Sequence, residues 1–110
     1  MMETLLSIKL LRDAGAQLHG TRCMIAGRLV VGNGAAITIE DEGGLARLVV
    51  DDPTLASRLR RKVPIKIDHV LYDDRVEVVA LIAIGRKGVV SISKIESGVL
   101  YRNNGREYVF

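Results

Sequence analysis

The chain has 110 residues, enough for one domain, and 48% of them are hydrophobic. Its 16 Lys and Arg against 13 Asp and Glu give a net charge of +3. A single cysteine, Cys23, excludes an internal disulfide, and no apolar run reaches the roughly 18 residues that a membrane-spanning helix requires. The sequence therefore predicts one soluble domain in the reducing cytoplasm, without contact with a membrane.

Three short segments in the first half of the chain alternate with a period of two, at residues 22–29, 37–40 and 46–50. The first gap contains an Asn-Gly pair at residues 33–34, and the second contains two glycines at residues 43–44. Both compositions are typical of tight turns. We expect a three-stranded meander that turns its aliphatic side chains to one side.

Residues 51–63 have the pattern of one short helix. Asp52 is a favoured N-cap residue, and Pro53 suits the first helical position. Leu55 and Leu59 recur at a spacing of four, which places both on one face. Basic residues crowd the last turn, where they interact favourably with the helix dipole, so this cluster has a structural explanation.

A period of two returns after Pro64 and predicts two further strands, at residues 65–72 and 75–84. Asp73 and Asp74 lie between them, and aspartate favours turns because its side chain bonds to the local backbone. We expect a tight turn at these two residues.

The last quarter of the chain, residues 86–110, holds five Lys and Arg against two Glu and so carries the whole excess of positive charge. Two short β-like stretches are predicted there, at residues 89–95 and 99–110, the second turning at residues 103–105. A basic tail can contact phosphate backbones, and a solvated surface is the alternative explanation.

The order of three strands, one helix and two strands is that of the oligonucleotide/oligosaccharide-binding (OB) fold. Residues 15–18, 22–29 and 37–44 carry the resemblance, the last with alternating hydrophobic residues followed by Asp and Gly. The chain resembles small single-domain OB proteins, such as the small subunits of replication protein A and of telomere-capping complexes. The resemblance covers residues 10–84.

This resemblance implies an all-β fold with one short helix, a five-stranded Greek-key barrel whose helix lies between strands three and four. It divides the single domain into a lead-in at residues 1–20, a barrel at residues 21–85 and a basic C-terminal extension at residues 86–110. The loops that usually grip the ligand in this family are predicted here to be tight turns.

The implied function is sequence-independent binding of single-stranded nucleic acid, DNA rather than RNA, by a small subunit of a multi-protein complex such as that of DNA replication. Outward basic side chains would follow the backbone, and one aromatic side chain would stack on a base. The candidate nucleic-acid-binding residues are Arg22, Arg28, Arg47, Lys66, Tyr72, Arg75, Arg86 and Lys87.

The alternative is an OB-fold scaffold that joins protein partners, or a second copy of itself, and binds no nucleic acid. Met24, Val49, Val79 and Leu81 are apolar at positions that face outward in the predicted strands. Exposed apolar patches usually mark protein interfaces. The C-terminal extension is the other candidate to cover these residues.

Enzymatic chemistry, a cofactor and a metal site are not expected. The carboxylates cluster at predicted turns, the two histidines His19 and His69 lie far apart, and no Cys/His group has zinc spacing. The glycine pairs lie in predicted turns rather than between a strand and a helix, so they do not predict a phosphate loop.

Overall fold

The computed structural model describes residues 5–6, 19–32, 36–41, 43–44, 46–65 and 70–110. In chain order these residues form β1 (Leu5–Leu6), β2 (Arg22–Gly32), β3 (Ile37–Glu40), β4 (Arg47–Val50), α1 (Leu55–Lys62), β5 (Val70–Ile84), β6 (Val90–Tyr101) and β7 (Glu107–Val109).

Five strands close a barrel in the order β2, β3, β4, β6 and β5, with β5 pairing back onto β2. All neighbours in this ring are antiparallel except β4 and β6, which run parallel. Two short strands lie outside the ring, β1 beside the start of β2 and β7 beside the end of β6. The predicted fold class is confirmed: the chain forms an OB-like barrel with one short helix between the third and fourth ring strands.

The barrel interior is filled by the aliphatic side chains that the alternating pattern turns inward. Ile25 and Leu29 on β2 and Ile39 on β3 are fully buried. Leu55 and Leu59 on α1 are fully buried as well, so the helix covers one end of the barrel. Burying an aliphatic side chain of this size contributes about 1.5–3 kcal/mol.

The helix starts two residues later than predicted, at Leu55, with Thr54 in the N-cap position. Asp52 is nonetheless central to this end of the barrel. Its carboxylate accepts hydrogen bonds from the Thr54 amide (3.0 Å) and hydroxyl (2.8 Å) and from the Ile95 amide on β6 (3.0 Å). One buried carboxylate therefore ties the chain entering α1 to the wall of the barrel.

Two glycines allow close contacts that a side chain would prevent. A Cβ atom on Gly27 would lie 2.6 Å from the carbonyl oxygen of Glu40, and one on Gly98 would lie 2.5 Å from the Phe110 ring. The close approach of β2 to β3 and the packing of Phe110 against β6 are therefore possible only because these two residues have no side chain.

The predicted turn at Asp73 and Asp74 is wrong, because both residues lie inside the continuous strand β5 and pair with β2. Asp74 points inward, and Arg102 balances its charge at 3.4 Å from Nε to Oδ1. Within the predicted strand 65–72, Ile65 is 44% exposed and lies outside any strand, while residues 66–69 lie outside the described residues.

The predicted boundary of the barrel at residue 85 is also wrong. Strand β6 lies between β4 and β5, and it buries Val90, Ile92, Ile95 and Leu100 in the core. The final strand of the barrel therefore comes from the predicted extension. The turn predicted at residues 103–105 is present and joins β6 to β7.

Candidate nucleic-acid interface

The strand register aligns five outward side chains in one line across the barrel surface. Each residue is the direct partner of the next on the neighbouring strand. We call this line the arginine row, and it consists of Arg47 on β4, Glu40 on β3, Arg28 on β2, Arg75 on β5 and Tyr101 on β6. Strands lie roughly 4.8 Å apart, so the row spans about 19 Å.

Arg28 and Arg75 are directly opposite each other on adjacent strands. Like charges in this position are destabilising, so the barrel gains no stability from the pair itself. The Nε atom of Arg28 donates to the Asp73 carboxylate, and the two side chains are 49% and 37% exposed. An ion pair as exposed as this contributes only about 0–1 kcal/mol.

Three cations on this side of the barrel have no such partner. Arg47, Arg75 and Lys87 are exposed, and none forms an ion pair with another residue in the described ranges. Lys87 lies in the loop between β5 and β6, and its backbone φ is +67°, a value that residues other than glycine rarely adopt. Because β4 and β6 run parallel, this loop lies at the end of the barrel where Arg47 begins β4.

Tyr72 does not belong to the interface, contrary to the prediction. Its side chain is 2% exposed, and its hydroxyl donates to the Val63 carbonyl at 2.9 Å. Strand β5 passes through residues 73–74 without a turn, so Tyr72 has the same inward orientation as Val76. A buried ring cannot stack on a base.

Arg22 is also separate from the arginine row. It lies at the opposite end of β2 from Gly32, six residues before Arg28, and its guanidinium contacts Glu96 at 2.5 Å and 3.0 Å. Lys66 and the side chain of Arg86 lie outside the described part of the chain.

Tyr101 is a candidate that the sequence interpretation missed. Its ring is partly exposed beside Arg75, with its hydroxyl near the Glu77 carboxylate. Partial burial and the charges of Glu77 and Glu107 raise the pKa of Tyr101, while Arg75 lowers it. The phenol therefore stays protonated at neutral pH and offers a neutral ring for stacking.

The predicted apolar interface residues are divided between two places. Met24 and Val79 are direct cross-strand partners, and Leu81 follows Val79 on the same face of β5. Val49 is 55% exposed but lies on β4, where its partners are Thr38 and Ser91.

Next to Met24 and Val79 is a shallow groove of about 210 Å³ on the outer surface of β2, β5, β6 and β7. Strand β7 extends the sheet beside β6, so its Val109, which is 70% exposed, forms one wall of this groove. Glu77 is the charged residue among those that line it.

The described residues offer few features for metal binding, thiol chemistry or membrane insertion. No three His, Cys, Asp or Glu side chains among them are grouped as a metal ion would require. Cys23 is buried, and burial raises the pKa of its thiol. Helix α1 has eight residues, too few to span a bilayer, and no other described helix is long enough.

Comparison with known proteins adds one distant likeness. No protein-family model and no curated protein sequence matches the chain. A solved structure of OBody AM3L15 bound to hen egg-white lysozyme is similar, at 18% sequence identity and a TM-score of 0.47. The match covers 76% of this chain and 85% of that one. The strand order, rather than this likeness, defines the protein as an OB-like barrel.

Proposed function

We propose that this protein binds single-stranded nucleic acid without sequence preference, DNA in preference to RNA, as a small subunit of a larger assembly. The arginine row carries the proposal, because it brings three arginines and one aromatic ring from four strands into one line, with Glu40 of the fifth strand between Arg47 and Arg28. Arg28 and Arg75 lie side by side as like charges, and the pair itself contributes nothing to the stability of the barrel. A polyanion that passes along the row relieves their repulsion.

The energetic terms predict weak, salt-dependent binding. Phosphate contacts supply most of non-specific affinity, and each contact to a single strand contributes about −0.7 to the slope of log K against log salt. Arg47 and Arg75 together give a slope of about −1.4, and Arg28 adds a further −0.7 or so when it leaves Asp73. One stacking ring adds about 1–3 kcal/mol, which suits a domain that binds together with other subunits.

The test is fluorescence anisotropy of a labelled thirty-nucleotide poly-dT strand, titrated with the wild-type chain and two charge-reversed variants. Arg47→Glu with Arg75→Glu changes two row residues that have no ion pair among the described residues, so no salt bridge is broken. Arg60→Glu with Arg61→Glu makes the same change of net charge on the exposed surface of α1.

We expect saturable binding by the wild-type chain, with a salt slope between about −1.4 and −2.1. The row variant should bind about ten-fold more weakly or worse, with a slope near zero, while the helix variant stays close to wild type. Equal losses in both variants would contradict the proposal, and so would no binding by the wild type at tens of micromolar protein and low salt. A matched oligo-U strand measures the preference for DNA.

A second candidate function, docking of a partner protein, is favoured by the groove beside Met24 and Val79. Its apolar walls and Glu77 fit an extended segment that carries an apolar side chain next to a Lys or Arg. Two-fold packing of this small surface on a second copy would place two Glu77 charges in one apolar interface, so a different protein fits better. A chain that fails to bind single strands in the titration above leaves this groove as the better-supported site.

A further inference from the structure

Arg28 is the central cation of the arginine row, and it is already engaged. Its direct partners are Glu40 on β3 and Arg75 on β5, but its guanidinium donates to Asp73. Asp73 and Arg75 are two residues apart on β5 and therefore share its outer face. The Asp73 carboxylate thus lies beside both arginines of the like-charged pair.

We propose that Asp73 is a built-in competitor for the nucleic-acid phosphate, which holds Arg28 in the unbound protein and must release it on binding. The proposal rests on the function proposed above. The geometry supports it, because the Arg28 Nε–H that bonds to the Asp73 carboxylate is not available to a phosphodiester oxygen, so full engagement of the guanidinium by a phosphate requires release from Asp73.

The carboxylate has two opposite effects. In the unbound protein it offsets the repulsion between Arg28 and Arg75, which favours the folded barrel. On binding, the Arg28–Asp73 contact has to be exchanged for an Arg28–phosphate contact, so part of the binding free energy is lost. The side chains of Arg28 and Asp73 are both partly exposed. A flexible single strand can therefore reach Arg28, and water can solvate Asp73 once Arg28 has moved to the phosphate.

The decisive variant is Asp73→Asn, compared with Glu96→Gln in the poly-dT titration. Both remove one negative charge from an exposed ion pair with arginine. Glu96 pairs with Arg22, which lies six residues from Arg28 along β2, roughly 20 Å away. The second variant therefore controls for net charge.

We expect Asp73→Asn to bind about two- to five-fold more tightly than wild type, with a salt slope of about −2.1 from the three arginine contacts. Glu96→Gln should leave the slope unchanged. In an Arg28→Gln background, the effect of Asp73→Asn should fall to that of Glu96→Gln, since the Arg28 guanidinium is no longer there to be released.

Equal effects of the two variants, no effect of Asp73→Asn, or an effect as large without Arg28 as with it would each overturn the inference while leaving wild-type binding intact. Absence of binding by every variant would instead overturn the proposed function and, with it, this inference. Circular dichroism of each variant confirms that the barrel is folded.

Discussion

Tyr101 shows how one side chain gains a role from its neighbours. Alone it is a partly exposed tyrosine near the end of β6. Because β6 pairs with β5, its ring lies beside Arg75, with its hydroxyl near Glu77. A ring next to a cation is the arrangement by which single-strand binders hold a base and its phosphate.

Replacing this residue separates stacking from hydrogen bonding. Tyr101→Ala removes the ring and should weaken poly-dT binding by about five-fold or more, the equivalent of at least about 1 kcal/mol of stacking. Tyr101→Phe keeps the ring, loses only the hydroxyl, and should bind within about two-fold of wild type. The same anisotropy assay measures both, and equal behaviour of the two variants would remove Tyr101 from the interface.

At the scale of elements, Asp52 connects helix α1 to strand β6. Burial acts to raise the pKa of this carboxyl, but the hydrogen bonds from Ile95 and Thr54, with the charge of Arg58, outweigh it. The pKa is therefore lowered from its ordinary value of 3.8. A group with a lowered pKa in the folded state stabilises the protein above its unfolded pKa and loses that contribution as pH falls through the folded pKa.

Asp52→Asn should accordingly reduce the free energy of unfolding by about 1–3 kcal/mol at pH 6, because two amides and a hydroxyl lose a charged acceptor. The difference from wild type should shrink below about pH 4, as the wild-type carboxyl takes up a proton. Urea denaturation at several pH values measures both effects. Asp51→Asn changes the exposed neighbour and is the control, and a difference that does not depend on pH would contradict the role given to the Asp52 charge.

Local patterns predicted the elements whose partners are near in sequence. Strands β2, β3 and β4 follow one another closely in sequence, and α1 has its leucines at helical spacing, so alternation and periodicity were sufficient. Strand β6 was assigned to an extension because its parallel partner β4 lies some forty residues earlier. Its alternation is also broken twice, at Ser93–Lys94 and at Glu96–Ser97, where two outward residues follow each other.

Asp73 and Asp74 misled the prediction for a related reason. Their local chemistry favours a turn, whereas the contact that lets Asp74 be buried comes from Arg102, distant in sequence. Without the turn, residues 72, 74 and 76 share one face of β5, which moves Tyr72 into the core. The outward basic positions were predictable from alternation, but the row they form depends on register between strands, which no local pattern contains.

At the scale of the whole molecule, the barrel presents two different surfaces side by side. The arginine row and the apolar groove meet on β5, where Arg75 and Glu77 are two residues apart on the same outer face. A closed barrel holds these strands in fixed register, so the spacing of both surfaces is set by the fold and not by the ligand. A nucleic acid and a protein partner can therefore occupy adjoining sites.

The most direct test of the arginine row is a map of where a single strand contacts the protein. Amide chemical shifts of the ¹⁵N-labelled chain would be recorded during titration with a short oligo-dT at low salt. The account predicts that the largest changes fall on Arg28, Glu40, Arg47, Arg75 and their strand neighbours, and fade as salt is raised. Changes centred on the basic end of α1 or on the groove around Val79 and Val109, with the row unaffected, would contradict it.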